Sequence, residues 1–243
     1  MVMMLNAYLP RYSAAIRAAG TPQEEQLAYL NRSFANLRLG RPEKAMLDAT
    51  RGSGVDPPFE KALFREARSL YELGQFQSSL DKLQTLLASH PENAAATSEL
   101  ERTKARLIEQ VSGNYDFRHM YRQARKTPPL IDCATFSTPV EVREAPGKGR
   151  GLFTTMCVSA GQLVLCEKAF GYSYAEEGTP GFTALMNIST KKATVGGQAD
   201  LWTQIVQKLY HRHGQSHEFW DLYCGDYGPV PASEVDGIPV VDA

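Results

Sequence analysis

Residues 140–172 read VEVREAPGKGRGLFTTMCVSAGQLVLCEKAFGY, and this stretch carries the clearest fold signal in the second half of the chain. Val140 and Val142 alternate with polar residues, which is the period of a strand with one buried face. A turn with three glycines at alternate positions follows over residues 147–151. Because glycine accepts positive φ and carries no Cβ, the backbone of this turn is open to close approach by a ligand or by another strand.

Lys148 and Arg150 bring positive charge to the same turn. A second turn is predicted at 159–161, and the apolar run at 163–166 predicts a continuous strand. The spacing is not that of a dinucleotide-binding fingerprint, since the second turn leaves no room for a crossover helix. A glycine turn alone is a weak signal, and a plain hairpin is its simplest interpretation.

The order GKGRGLFT, a short spacer and AGQLVLCEKAF resembles the opening of the SET domain, the fold of protein-lysine methyltransferases. It is similar in particular to a fungal branch, related to the SET and MYND group, in which a TPR array precedes SET. In that family the glycine turn packs against S-adenosylmethionine. The resemblance therefore implies cofactor binding by Lys148, Gly149 and Arg150, with Gly151 and Leu152 in support.

The same resemblance implies that the catalytic residues belong to a later part of SET, an Asn-His-Ser-Cys type segment and a tyrosine. The sequence contains neither, so we predict a chain truncated before the catalytic half, with no catalytic residue and no methyl transfer by these 243 residues alone. The implied substrate is a lysine-containing protein or peptide, such as a histone. The alternative is a non-catalytic TPR adaptor with a degenerate SET remnant.

The first half of the chain contains a repeat whose offset matches the TPR period of about 34 residues. Four pairs of like residues share one offset: Ala28 and Ala62 (62−28), Leu39 and Leu73 (73−39), Gly40 and Gly74 (74−40), and Pro57 and Pro91 (91−57). Each unit is predicted to be two helices joined at the Leu-Gly pair. Further helices are predicted at residues 6–19 and at about 93–111, the latter with Leu100, Leu107, Ile108 and Val111 on one side.

Four polar residues on the first helices are candidates for binding a partner peptide: Asn31, Arg32, Arg65 and Arg68. TPR arrays that clamp peptide C-termini use residues of these types. The alternative interpretation is ordinary solvated surface charge. A TPR-bound protein partner is predicted on the first interpretation only.

Composition bounds the class of protein. Hydrophobic residues make up 43% and charged residues 22%, as in an ordinary soluble globular protein. A net charge of −1 gives no electrostatic footprint for nucleic acid, so we predict no direct nucleic-acid partner. No secretory signal and no membrane span is evident, and an intracellular protein of the nucleus or cytoplasm is expected.

No metal site is predicted. The four cysteines form no CxxC pair, so neither a zinc module nor a disulfide framework is expected. His213 and His217 have a spacing that can chelate on a helix, but Gly214 lies between them and no acidic or cysteine partner is evident.

The predicted fold class is α+β, with TPR-like helical repeats followed by a partial SET β-fold with a helical insert. The predicted boundaries are 1–126 for the repeats, 127–137 for a linker and 138–243 for the SET part, divided into strands with the cofactor turn at 138–172 and the helical insert at 173–230. Within the insert, Asp200 is predicted to cap a helix with Leu201, Ile205 and Leu209 on one face.

Overall fold

The computed structural model describes residues 2–54, 59–126, 129–174, 184–188, 191–211, 214, 216–222, 234–235 and 238–239. In chain order the elements are α1 (Val2–Ala18), α2 (Pro22–Arg38), α3 (Pro42–Arg51), α4 (Glu60–Glu72), α5 (Phe76–Ser89), α6 (Ala94–Ser112), α7 (Phe117–Ala124), β1 (Val140–Ala145), β2 (Gly149–Thr154), β3 (Ala184–Asn187), β4 (Lys192–Val195), α8 (Gly197–His211), α9 (Ser216–Trp220), β5 (Glu234–Val235) and β6 (Ile238–Pro239). The α+β class is confirmed. The chain divides into two compact units, Met1–Lys168 and Ala169–Ala243.

The helical repeat is seen in the turns between paired helices. Gly40 after α2 and Gly74 after α4 are left-handed, with φ of 68° and 76°. Each helix end is closed by a 2.9 Å bond, from Arg41 N to Asn36 O and from Gln75 N to Leu70 O. Arg41 and Gln75 are equivalent positions of the repeat, and so are Asn36 and Leu70. The two turns are therefore closed by the same hydrogen bond. Pro57, which pairs with Pro91 in the sequence repeat, lies outside the described residues.

An ion pair joins the two helices of each repeat at equivalent positions, with its charges exchanged. Arg32 on α2 contacts Asp48 on α3 at 2.7 Å, while Lys82 on α5 contacts Glu66 on α4 at 2.6 Å. Glu66 stands at the repeat position of Arg32, and Lys82 stands at that of Asp48. In both pairs the carboxylate is buried, at 5% and 4% exposure.

A second inter-helix contact is exchanged in the same way. The Ser33 hydroxyl on α2 donates to the carbonyl of Ala45 on α3 at 2.8 Å. In the next repeat Ser79 on α5 donates to Ala67 on α4, also at 2.8 Å. Ser33 and Ala67 share one repeat position, and Ala45 and Ser79 share the other. Serine and alanine have therefore changed places across one interface.

Helix α6 begins as the first helix of a third repeat, one period after the start of α4. At the position of the Leu-Gly turn the sequence has Leu107-Ile108, so the glycine that ends α2 and α4 is missing. Helix α6 therefore continues to its C-cap Gly113, which is left-handed with φ of 68°. The predicted apolar side is wrong in part, because Ile108 and Val111 are 54% and 65% exposed. The buried positions of α6 are mostly polar: Ala96, Glu99, Thr103, Arg106 and Glu109.

The segment at 129–137 lies against α4 and α6, held by Asp132. The Asp132 carboxylate accepts from the Tyr71 hydroxyl at 2.8 Å and from Arg102 Nε at 2.7 Å. Arg106 donates to the Asp132 carbonyl and is 3.3 Å from its carboxylate. The described part of the predicted linker is therefore anchored to the helices. Its remaining residues, 127 and 128, lie outside the described residues.

Helix α7, which was not predicted from the sequence, precedes this segment. The Asp116 carboxylate caps it by accepting from His119 N at 2.9 Å. On its inner side, the Gln123 side chain accepts from Asp132 N at 2.6 Å. Met120 packs against a cluster formed by Tyr115, Cys133 and Phe136, called the Tyr115 cluster below.

The predicted strand at 163–166 is wrong. Only Cys166 pairs, through an isolated antiparallel bridge to Phe136 with bonds of 2.8 and 2.9 Å. A strand ladder needs several consecutive residue pairs between two segments, and here only one pair is close enough to bond. The apolar run instead supplies half-buried side chains, of which Leu163 and Cys166 pack on the Tyr115 cluster.

In the second unit the region predicted as a helical insert also contains a hairpin, β3–β4, paired from Ala184↔Val195 to Asn187↔Lys192. Helix α8 begins at Gly197, so Asp200 lies in its first turn and is not the cap. Leu201, Ile205 and Leu209 are half-buried on one face, as predicted. No helix in the described part of the chain is long and apolar enough to span a membrane.

Candidate cofactor turn and helical groove

The glycine turn is the tip of the β1–β2 hairpin. Its register runs from Val140↔Thr154 to Ala145↔Gly149, and Lys148 N donates to Ala145 O at 2.9 Å. Gly147 and Gly149 have φ of 70° and 74°, a conformation that L side chains avoid. Apart from each glycine's own atoms and its two chain neighbours, no atom of the described residues lies within 4 Å of the place where a Cβ would stand at either glycine, so the backbone here faces open space.

One face of the hairpin is closed by its own side chains. The Arg143 guanidinium lies 4.7 Å from the centroid of the Phe153 ring and also pairs with Glu141 at 2.9 Å. A Cβ on Gly151 would come within 3.0 Å of that ring. Gly151 therefore leaves room for the aromatic stack.

The other face is exposed and carries an apolar pair beside a charged pair. Val142 and Leu152 stand opposite each other in the register and are 64% and 52% exposed. Arg150 lies on the same face, opposite Glu144.

The structure brings all five predicted cofactor residues into one hairpin. Lys148 lies in the tip, and Gly149, Arg150, Gly151 and Leu152 are consecutive in β2. Successive positions alternate between faces, so Arg150 and Leu152 share one face while Gly151 lies beside Phe153 on the other. The arrangement offers exposed backbone and two cations at the tip. It suits an anionic or polar group lying along the turn.

A cavity lies in the helical unit, in a groove across the first helices of the repeats, α2, α4 and α6. It measures about 300 Å³. Its lining combines apolar and cationic side chains with two carboxylates, including Phe34, Glu60, Lys61, Arg65, Arg68 and Glu72.

Arg65 is a half-buried cation of this groove, and the described residues give it no carboxylate partner. Its guanidinium lies 5.2 Å from the centroid of the Phe34 ring, and its Nη1 is buried without a hydrogen-bond partner. In the part of the chain that the structure describes, no carboxylate is within ion-pair distance of it. Burial lowers the pKa of Arg65, against a smaller opposing effect from Tyr12.

The other arginines proposed for peptide binding have partners within the fold. Arg32 holds Asp48 through two nitrogens and donates to Ser13 at 2.9 Å, so it joins α1, α2 and α3. Arg68 contacts Glu99 at 3.2 Å and Glu72 at 3.5 Å. Arg65 is therefore the arginine of the predicted set that is available to a ligand.

Among the described residues, no group of three or more His, Cys, Asp or Glu side chains could hold a metal ion. His213, one of the two histidines weighed from the sequence, lies outside the described residues. The contacts of Asp132 were missed by sequence reasoning. No periodicity marks an acidic residue that follows a proline-rich stretch and pairs with arginines of an earlier helix.

The comparisons with known proteins show similarity to a methyltransferase. Over 234 residues, 96% of its length, the chain is 56% identical to a Gibberella zeae protein named methyltransferase, of which it spans 32%. It is also 30% identical over 107 residues to the small glutamine-rich tetratricopeptide repeat-containing protein 2 of Mycosarcoma maydis, covering 42% of the chain and 30% of that protein. No protein-family model matches the chain, and no solved structure does.

A third relative, the protein STIP1 homolog of Dictyostelium discoideum, is 29% identical over 94 residues, 37% of the chain and 17% of that protein. The chain thus spans a third or less of the length of these relatives. It is similar to a named methyltransferase along almost its whole length, and in part to a tetratricopeptide repeat protein.

Proposed function

We propose that this chain carries the TPR array and the cofactor turn of a SET-type protein-lysine methyltransferase that uses S-adenosylmethionine. The observation that carries the proposal is the hairpin tip, where two left-handed glycines leave open space beside the backbone and two cations flank it. The similarity to a named methyltransferase over 96% of the chain supports it.

The residues of the turn fit an S-adenosylmethionine molecule in their chemistry. The open backbone at Gly147 and Gly149 admits a flat or extended group, and Lys148 and Arg150 suit a carboxylate. The cofactor supplies a methyl group on a sulfonium. The binding turn would contribute to the rate of methyl transfer by holding that methyl group in line with the attacking amine. We assign the binding and deprotonation of the substrate lysine to no residue of this chain.

The experiment is methyl transfer by the protein as the cell makes it. The endogenous protein, captured with an antibody to the helical repeats, is incubated with tritiated S-adenosylmethionine and core histones. We expect label that is recovered as methyl-lysine after acid hydrolysis, and none from the purified 243-residue chain. Label on another residue type, or label from the isolated chain, would overturn the proposal.

A matched pair of variants tests the turn itself. Introduced into the endogenous protein, Gly149→Trp fills the open space at the hairpin tip and should abolish transfer. Gly161→Trp is the control, because Gly161 is also left-handed, with φ of 81°, and also has no neighbour within 4 Å of its Cβ position. Both changes strain the backbone by a similar ~1–2 kcal/mol. Equal loss in both would show that the turn has no specific part in binding the cofactor.

A second candidate function is protein binding in the groove of the first helices, favoured by Arg65, whose guanidinium meets no carboxylate among the described residues. A buried cation without a partner costs stability, and a carboxylate from a bound peptide would remove that cost. We propose that this groove takes the C-terminal carboxylate of a protein partner beside an apolar side chain.

Titration calorimetry of the purified chain with peptides that end in a free or an amidated carboxylate tests this binding. Arg65→Gln should weaken binding of the free acid by about tenfold or more, since a charge-assisted bond is worth about 1.5–3 kcal/mol. Arg17→Gln, at an exposed position outside the groove, should leave it unchanged. Equal affinity for the free and amidated peptides would contradict the proposal.

A further inference from the structure

Three arginines form a stripe along the outer side of α7 and its C-cap. The inner side of this helix is fixed by Met120, which packs on the Tyr115 cluster, and by Gln123, which bonds Asp132. An α-helix turns by about 100° per residue. This rotation places the three arginines within an arc of about 60° on the side opposite Met120 and Gln123: Arg118, Arg122 and Arg125. All three are exposed.

This positive charge is not compensated within the described part of the chain. No ion pair there involves Arg118, Arg122 or Arg125, whereas Arg102 and Arg106 on α6 each contact Asp132. The nearby carboxylate of Asp116 caps the N-terminus of the helix. A row of guanidinium groups at the surface is therefore placed to meet an external anion.

Two exposed aromatic side chains lie along one edge of the stripe. Tyr121 is 73% exposed, and Phe117 one turn earlier is 50% exposed. Exposed aromatic rings are the surface on which unpaired bases stack, at about 1–3 kcal/mol per base. The surface of α7 therefore combines cations with a ring that is open to stacking.

We propose that the outer face of α7 binds single-stranded nucleic acid, with the arginine stripe on the phosphates and Tyr121 stacked on a base. The guanidinium fork matches phosphate geometry. An acidic peptide fits less well, because its carboxylates can pair with the arginines but leave the exposed Tyr121 ring without a base to stack on it. A membrane surface fits less well again, since an interfacial helix needs a broad apolar face.

The chain's net charge of −1 predicted no nucleic-acid partner, but that total averages over the molecule. Local potential at a binding surface is set by the charges within about one Debye length, ~10 Å at 0.1 M salt. On the outer side, α7 and its C-cap present three arginines and no carboxylate. The inference is independent of the methyltransferase proposal.

The test is fluorescence anisotropy of the purified chain with a labelled, mixed-sequence 20-nucleotide RNA. With three phosphates contacted, we expect a slope of about −2 for log affinity against log salt, or a loss of about 20-fold between 50 and 200 mM. Arg118→Glu/Arg122→Glu should reduce affinity at 50 mM salt more than tenfold, and Tyr121→Ala about fivefold or more.

The matched control is Arg17→Glu/Lys192→Glu, which makes the same change in net charge at exposed positions outside α7. Circular dichroism should show that both double variants fold, because the changed side chains are exposed. Equal loss of affinity in both would overturn the proposal, as would RNA binding without salt dependence. Poly-glutamate that displaces the RNA at equal charge concentration would also overturn it, in favour of an acidic protein partner.

Discussion

Asp132 shows how a single residue fastens an irregular segment to a helical array. Its carboxylate and carbonyl are held by Tyr71, Arg102 and Arg106. Burial opposes ionisation of Asp132, but the hydrogen bond and charge of Arg102 outweigh it and hold the pKa of this carboxyl below its ordinary value. Burial also opposes the charge of Arg102, and there the bond to Asp132 prevails and raises the pKa of the guanidinium.

Asp132→Asn should lower the free energy of unfolding by about 2–3 kcal/mol at pH 7, because two arginines lose a partially buried partner. The depressed pKa stabilises the fold above the ordinary value of about 3.9, and this contribution is lost as pH falls through the folded-state pKa. Urea unfolding should thus show the two proteins converging as the pH falls below about 4. Asp81→Asn, at an exposed carboxylate bonded to Gln77, should change stability by less than about 0.5 kcal/mol.

The two complete pairs of helices use one interface geometry with different residues. The carboxylate of the inter-helix ion pair stands on α3 in the first repeat and on α4 in the second. The serine that donates across the interface also changes helix, in the opposite direction, from α2 in the first repeat to α5 in the second. At each of these places the fold requires a pair of complementary groups, and either helix of the pair can carry either group.

Exchanging the charges in the second repeat tests this equivalence. Lys82→Asp alone should cost about 2–3 kcal/mol, since it leaves the buried Glu66 beside another carboxylate. Glu66→Arg/Lys82→Asp reproduces the pair of the first repeat and should restore stability to within about 1 kcal/mol of the unmodified chain. Thermal and urea unfolding measure both. For comparison, Lys104→Glu breaks an exposed pair with Glu101 and should cost under ~1 kcal/mol.

The serine exchange gives a smaller version of the same experiment. Ser79→Ala should cost about 1 kcal/mol, the net worth of one hydrogen bond. Ser79→Ala/Ala67→Ser, which copies the first repeat, should recover most of it. A double variant less stable than Ser79→Ala would show that the two interfaces differ in shape.

At the scale of the whole molecule, the buried apolar clusters among the described residues belong to the first unit. One joins α4, α5 and α6 through Leu63, Leu83 and Ala96, a second includes Tyr71 and Phe76, and the third is the Tyr115 cluster. Among the described residues beyond Lys168, Ala199 is the buried apolar side chain. The first unit therefore has its own core.

A fragment of residues 1–168 should fold alone. We expect a cooperative urea transition by far-ultraviolet circular dichroism, with a midpoint within about 0.5 M of that of the full chain, since a core of this kind makes a domain independent. The fragment should also keep the RNA affinity of the whole chain. A non-cooperative transition would show that the helical unit depends on residues after Lys168.

Local sequence is sufficient to specify the repeat, the hairpin tip and the α+β class. The Leu-Gly pairs favour a left-handed glycine at the helix end, the apolar period of α4 and α5 defines their buried side, and alternate glycines favour a turn. The five residues of the cofactor turn are adjacent along the chain, so no tertiary contact is needed to bring them together. That the turn binds a cofactor remains a prediction.

Contacts between distant segments determine which polar groups are buried and which cations lack a partner. Arg32 and Arg65 look alike in sequence, but Arg32 lies beside Asp48 while Arg65 has no carboxylate in reach among the described residues. The strand predicted at 163–166 failed because a strand needs a partner, and only Phe136 bonds to it. Such outcomes depend on which segments meet in space, and a local pattern carries no information about residues far along the chain.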